Sequence, residues 1–147
     1  MASGSVRRIE TESEVSAYLA KMKHALENGA QIQFQIDRQV DNERDAYFTN
    51  RFTLSELFPD EAPSEVFRRK LMTLTKANYM GTVRDIRFPK RSEMREFGEI
   101  YRQSDEVYIK VRIELLNSAE GGNHTAFVMS FHFAETPFSQ CTFPYKK

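Results

Sequence analysis

The chain of 147 residues is long enough to bury one hydrophobic core without metals or cross-links, and its 40% hydrophobic and 29% charged residues exclude a disordered tail or a fibre. Its 21 basic and 21 acidic residues cancel, so overall charge does not announce a nucleic-acid partner. A single cysteine, Cys141, excludes an internal disulfide; His24, His124 and His132 stand apart without metal-ligand spacing; and no apolar run approaches the ~20 residues of a membrane span. The expectation is one cytoplasmic domain over residues 1–147, with no metal, no cofactor and no membrane partner. Its N-terminus is expected to be flexible over about residues 1–10, and its C-terminus to be an extended arm over about residues 136–147.

Thr11-Glu12-Ser13-Glu14 has the form of a capping box, in which hydroxyl and carboxylate satisfy free backbone donors at a helix start. Val15, Leu19, Met22 and Leu26 recur at helical spacing up to the stop Asn28-Gly29, which predicts an amphipathic helix of about four turns. Ile32, Phe34 and Ile36 alternate with Gln31, Gln33 and Gln35, predicting a strand with one polar face. Residues 37–50 read as a loop, with a short second strand around Ala46-Tyr47-Phe48. A helical turn ended by Pro59 follows, and Pro63, Val66, Phe67, Leu71 and Leu74 predict a second amphipathic helix over residues 63–74. Thr75 is placed to cap a further short turn ending near Gly81, and "RDIRFPKRSEM" reads as a basic loop. "REFGEIYR" is predicted as a strand with Phe97 and Tyr101 on one side and Gly98, Ile100 and Arg102 on the other. Two more strands follow, separated by the turn "NSAEGGNH". The order of helix, strand, loop, helices and three strands predicts an α+β domain: an antiparallel sheet of about four strands with helices packed on one face and the other face open.

The last two strands carry the candidate chemistry. In "EVYIKVRIELL", residues 106–116, the apolar Val107, Ile109, Val111, Ile113 and Leu115 alternate with Tyr108, Lys110, Arg112 and Glu114. In residues 125–135, strict alternation assigns Phe127, Met129, Phe131 and Phe133 to the core and Ala126, Val128, Ser130, His132 and Ala134 to the open face. Keeping both apolar sets on one side sets Tyr108 opposite His132 and Lys110 opposite Ser130. An imidazole and a phenol can move protons, while lysine and arginine stabilise charge growing on a phosphate, which suits an RNA phosphodiester whose own 2′-hydroxyl is the nucleophile. The bland counterpart is a solvated strand face, where tyrosine and cations stabilise a sheet through cross-strand pairs. Charge is segregated along the chain: residues 66–95 hold nine basic side chains against two acidic ones, and residues 41–65 hold seven acidic against two basic. That distribution permits a basic patch.

Between about residues 22 and 135, the segments "ENGAQI", "LTKANY", "EFGEIYRQ", "EVYIKVRI" and "VMSFH" resemble the motility quorum-sensing-regulator (MqsR) family of toxins from bacterial toxin-antitoxin systems. The resemblance implies a RelE/MqsR-like fold and metal-independent cleavage of single-stranded mRNA. It also implies a cognate antitoxin protein that holds the activity in check, and the ribosome as a further partner. The family tyrosine falls on Tyr108 and the lysine after it on Lys110, while the family lysine after "VSF" falls on His132; two other polar family positions fall on Met80 and Gly98. The candidate catalytic set is therefore Tyr108, His132 and Lys110. Arg112, Arg102, Arg95, Arg91 and Arg84 are the candidates for binding substrate phosphate, several of them chosen by proximity in sequence alone. Two other readings use the same residues: a non-catalytic module that binds protein or nucleic acid on the open face, and a small-molecule pocket between helix and sheet lined by the Phe and Met residues of the last strand.

Overall fold

A computed structural model describes residues 5–34, 46–87, 92–115, 124–139 and 141–146. Its elements run β1 (Ser5–Arg8), α1 (Glu12–Glu27), β2 (Gln31–Phe34), α2 (Asn50–Leu57), α3 (Pro63–Leu71), β3 (Tyr79–Asp85), β4 (Met94–Tyr101), β5 (Asp105–Leu115) and β6 (His124–Phe133). The strands form one sheet in the order β1-β3-β4-β5-β6-β2, antiparallel throughout except for β2, which runs parallel to β6. The α+β class holds. The sheet, however, has six strands and is mixed, where the sequence predicts about four antiparallel ones.

The capping box forms as its residues dictate: the Thr11 N–H donates to Glu14 Oε1 at 2.9 Å and the Glu14 N–H to Thr11 Oγ1 at 3.2 Å. Val15, Leu19, Met22 and Leu26 are buried along one stripe, and the helix stops at Asn28 with Gly29 at φ +85°. This stripe and the buried residues of α2 and α3 pack on one face of the sheet, against Phe97, Val107, Ile109, Val111, Phe131 and Phe133. Phe97, Ile109 and Phe131 sit side by side across β4, β5 and β6 and are wholly buried.

Several local expectations give way. Residues 5–8, expected to belong to a flexible leader, pair with β3 as an edge strand. Ala46–Phe48 is a short 3-10 turn and not a strand, and the second amphipathic helix ends at Leu71, short of residue 74. Thr75 does cap a short turn, but that turn is only Lys76–Asn78; β3 then occupies positions the sequence assigned to the turn and to the basic loop. Ile36, most of the 37–50 loop, residues 88–91 of the basic loop and most of the turn before β6 lie outside the described residues.

Two one-residue bulges matter for the site. In β6, Lys110 pairs with Ser130 but Val111 pairs with Val128, so Met129 is the extra residue. The bulge reverses parity along the first half of the strand. Ala126 and Val128 therefore enter the core beside Ile113 and Val111, while Phe127 comes to the open face opposite Arg112; strict alternation places Phe127 and Met129 in the core, and the structure corrects that. In β3, Tyr79 pairs with Phe97 and Gly81 with Glu96, leaving Met80 as the extra residue. Among the described residues no helix is long and apolar enough to cross a membrane.

Candidate functional site

Pairing across the sheet lays out the face opposite the helices in rows. One row is Gly98, Tyr108 and His132; the next is Gly81, Glu96, Lys110 and Ser130. The register expected from the sequence, Tyr108 opposite His132 and Lys110 opposite Ser130, is the register observed. Together with Arg7, Met80 and residues of the C-terminal arm, these side chains line a cleft of about 350 Å³. That volume suits a small ligand or a single nucleotide unit.

His132 is only 5% exposed and its ring lies 5.4 Å from that of Tyr108. Its Nδ1 is 2.9 Å from the Phe133 carbonyl oxygen. A carbonyl only accepts, so Nδ1 carries a proton, and in the neutral ring Nε2 is the basic nitrogen. Tyr108 donates its hydroxyl proton to Glu96 Oε2, and the other carboxylate oxygen of Glu96 is paired with Arg7 Nη1. Arg7 reaches Glu96 by lying across β3, with its Nη2 also donating to the Met80 carbonyl at 2.9 Å. Glycine at position 81 leaves room for that crossing: a Cβ there would stand 2.5 Å from Arg7 Nη2 and 2.6 Å from Cζ, so the guanidinium would have to shift.

The C-terminal arm closes one side. Phe138 and Phe143 meet edge to face, 5.2 Å apart, directly over Gly98, where a Cβ would come within 2.8 and 2.9 Å of their ring tips. The Phe138 N–H donates to Glu106 Oε1 at 3.2 Å, and the Tyr145 hydroxyl donates to the Glu10 carbonyl while its ring stacks on Tyr79.

The predicted phosphate-binding arginines fare differently. Arg112 is on the open face next to this cluster, its guanidinium 4.4 Å from the Phe127 ring centroid and hydrogen-bonded to Glu114 at 2.5 Å. Arg102 is at the β4–β5 turn, at φ 50°, with Nε donating to Asp105 at 2.6 Å. Arg95 is on the opposite face: it pairs with Glu10 through Nε at 2.9 Å and lies 4.2 Å over the Tyr18 ring. The structure does not bring it to the cleft, because position 95 pairs with the core residue Val111. Arg84 is exposed on β3 and falls on the same side as Thr82, also away from the cleft. Arg91 lies outside the described residues. The sequence reading passed over Arg7 and Glu96. The parity of "REFGEIYR" puts Glu96 beside Gly98 on the open face, which was a usable signal; nothing local foretells Arg7, 89 residues away.

The chain was compared with protein-family models, with curated proteins and with solved structures, and none of them matches.

Proposed function

We propose that the open-face cleft cleaves single-stranded RNA without a metal, the 2′-hydroxyl attacking its own phosphate to leave a cyclic phosphate and a free 5′-hydroxyl. The observation that carries this reading is the gathering of a phenol, an imidazole and two cations (Tyr108, His132, Lys110 and Arg7) on one cleft wall. Tyr108 and His132 handle the two protons, and Lys110 and Arg7 face the charge that grows on phosphorus. Arg112 binds the next phosphate along the strand. The polar family position that falls on Gly98 is filled in space by Phe138 and Phe143, so the chemistry is assigned to this chain's own set. The wider role, a toxin acting on mRNA and restrained by an antitoxin, rests on the resemblance of the five segments between about residues 22 and 135. A neighbouring reading frame for a small DNA-binding protein would strengthen it.

Incubation with a single-stranded RNA in EDTA tests the reaction. Cleavage is expected, with 2′,3′-cyclic phosphate ends, no action on the all-deoxy strand, and a loss of about 10²–10⁴-fold in His132→Ala. Tyr108→Phe is expected to be impaired as well. RNA left intact by the wild type, or cut equally well by both variants, would defeat the assignment.

A binding module without turnover is the second reading, favoured by one observation: Arg112 sits 4.4 Å over the Phe127 ring on the open face, an aromatic and cationic pair against which a base can stack. Retention of RNA by the wild type with no product would establish it.

A further inference from the structure

We propose that Glu96 is the positioning residue that makes Tyr108 the proton acceptor of the reaction and leaves His132 as the proton donor; this rests on the RNA-cleaving reading above. Glu96 is 7% exposed, and a buried carboxylate is costly unless it is paired. Arg7 supplies that pairing through one oxygen. The second oxygen is given to the Tyr108 hydroxyl, an arrangement that a purely structural ion pair between β1 and β4 does not require. A carboxylate only accepts, so the phenolic proton points at Glu96 and toward any further group the phenol oxygen can act only as an acceptor. The bare backbone at Gly81 has the same result, since it lets the guanidinium lie over β3 and fix Glu96 from the far side.

The transfers then balance. As the 2′-oxygen forms its bond to phosphorus, the 2′-hydroxyl proton moves to the Tyr108 oxygen and the phenolic proton moves to Glu96. As the bond from phosphorus to the 5′-oxygen breaks, the imidazolium of His132 gives its Nε2 proton to that oxygen, its Nδ1–H staying on the Phe133 carbonyl. Water returns the proton from Glu96 to His132 between turnovers. The charged and titratable groups that face Glu96 are Arg7 from β1, Tyr108 and Lys110 from β5, His132 from β6 and Glu135 from the arm. Among the described residues, Glu96 and Glu135 are the carboxylates that line the cleft.

The test is the pH dependence of kcat for RNA cleavage by the full chain. Wild type is expected to give a bell. Glu96→Gln should lower kcat by about 10²-fold or more with KM little changed, and should lose the acidic limb. His132→Ala should instead lose the alkaline limb. Glu96→Asp keeps a carboxylate beside Arg7 but sets it one methylene further from Tyr108; it should fold, keep the acidic limb and turn over about 10-fold more slowly. A Glu96→Gln enzyme that retains the acidic limb overturns the inference, as does a folded Glu96→Asp with wild-type kcat, which decides the matter if the glutamine variant does not fold. Absence of cleavage by the wild type defeats the parent reading and this one with it; normal cleavage with unaltered limbs defeats this one alone.

Discussion

Glu10 shows what burial demands of a single charge. Its carboxylate is taken out of water beneath β1, where it accepts hydrogen bonds from Arg95 at 2.9 and 3.1 Å and from the wholly buried Thr82. Burial alone pushes this carboxyl up, but the hydrogen bonds from Arg95 and Thr82 and the charges of Arg95 and Arg8 outweigh it, and the group is held below the ordinary carboxylate range. Because the folded value lies below the unfolded one, the stabilisation is present above the ordinary carboxylate range and is lost as pH falls through the folded value. Glu10→Gln is therefore expected to cost about 3 kcal/mol at neutral pH by leaving Arg95 with only the more distant carboxylate of Glu93, 3.9 Å away, and the gap to wild type should narrow in acid. Urea denaturation of both proteins from pH 7 to pH 3 measures it, and a gap that stays constant would speak against the pairing. Arg95 also shows the limit of reading charge alone: its sign suits phosphate, but the parity that puts Glu96 beside Gly98 puts Arg95 on the side of Phe97, where it meets Glu10.

The C-terminal arm depends on one missing side chain. A Cβ at position 98 collides with the ring tips of Phe138 and Phe143, so Gly98→Ala should loosen the arm while β4, β5 and β6 keep their pairing. Hydrogen exchange is the measurement: faster exchange at 138–146 with unchanged protection at Ile109 and Phe131 is expected, and full protection of the arm would contradict it. What the sequence revealed of these elements follows from how local their signals are. The α1 cap, the apolar stripe and the β5–β6 pairing are written in residues three to ten positions apart or in simple parity, and they were legible. The pairing of β1 with β3 and of β2 with β6 depends on partners far along the chain. β3 was hidden because Met80 breaks its period of two, and the exchange of Phe127 for Val128 in the core was hidden because Met129 does the same. Three of the five residues, Tyr108, Lys110 and His132, were thus readable, and Glu96 lay within reach of the same parity; Arg7 needed the sheet to be assembled.

Across the fold, the segregated charge of the sequence resolves into pairs. Arg69 meets Glu61 at 2.5 Å, Arg8 meets Glu93 at 2.7 Å, Arg87 meets Asp85 at 3.1 Å, and Lys76 meets Glu12. The basic run is thereby interleaved with acids, and the cations of the open face near the cleft reduce to Arg7, Lys110 and Arg112 among the described residues. On the proposed RNA-cleaving reading, three phosphate contacts to a single strand predict a slope of about −2 for log K against log salt. Fluorescence anisotropy with an uncleavable 2′-deoxy strand reads it directly, and a slope steeper than about −4 would reveal a basic surface wider than this one. The two methionine bulges have a geometric outcome of their own. Met80 and Met129 each add one residue to a strand that flanks the cleft, one on either side of the β4–β5 hairpin, and a strand with a surplus residue must bend to stay in step with its neighbour. The consequence is local: the row of Gly81, Glu96, Lys110 and Ser130 is bordered at both ends by a strand kinked at its surplus residue, not by a straight edge.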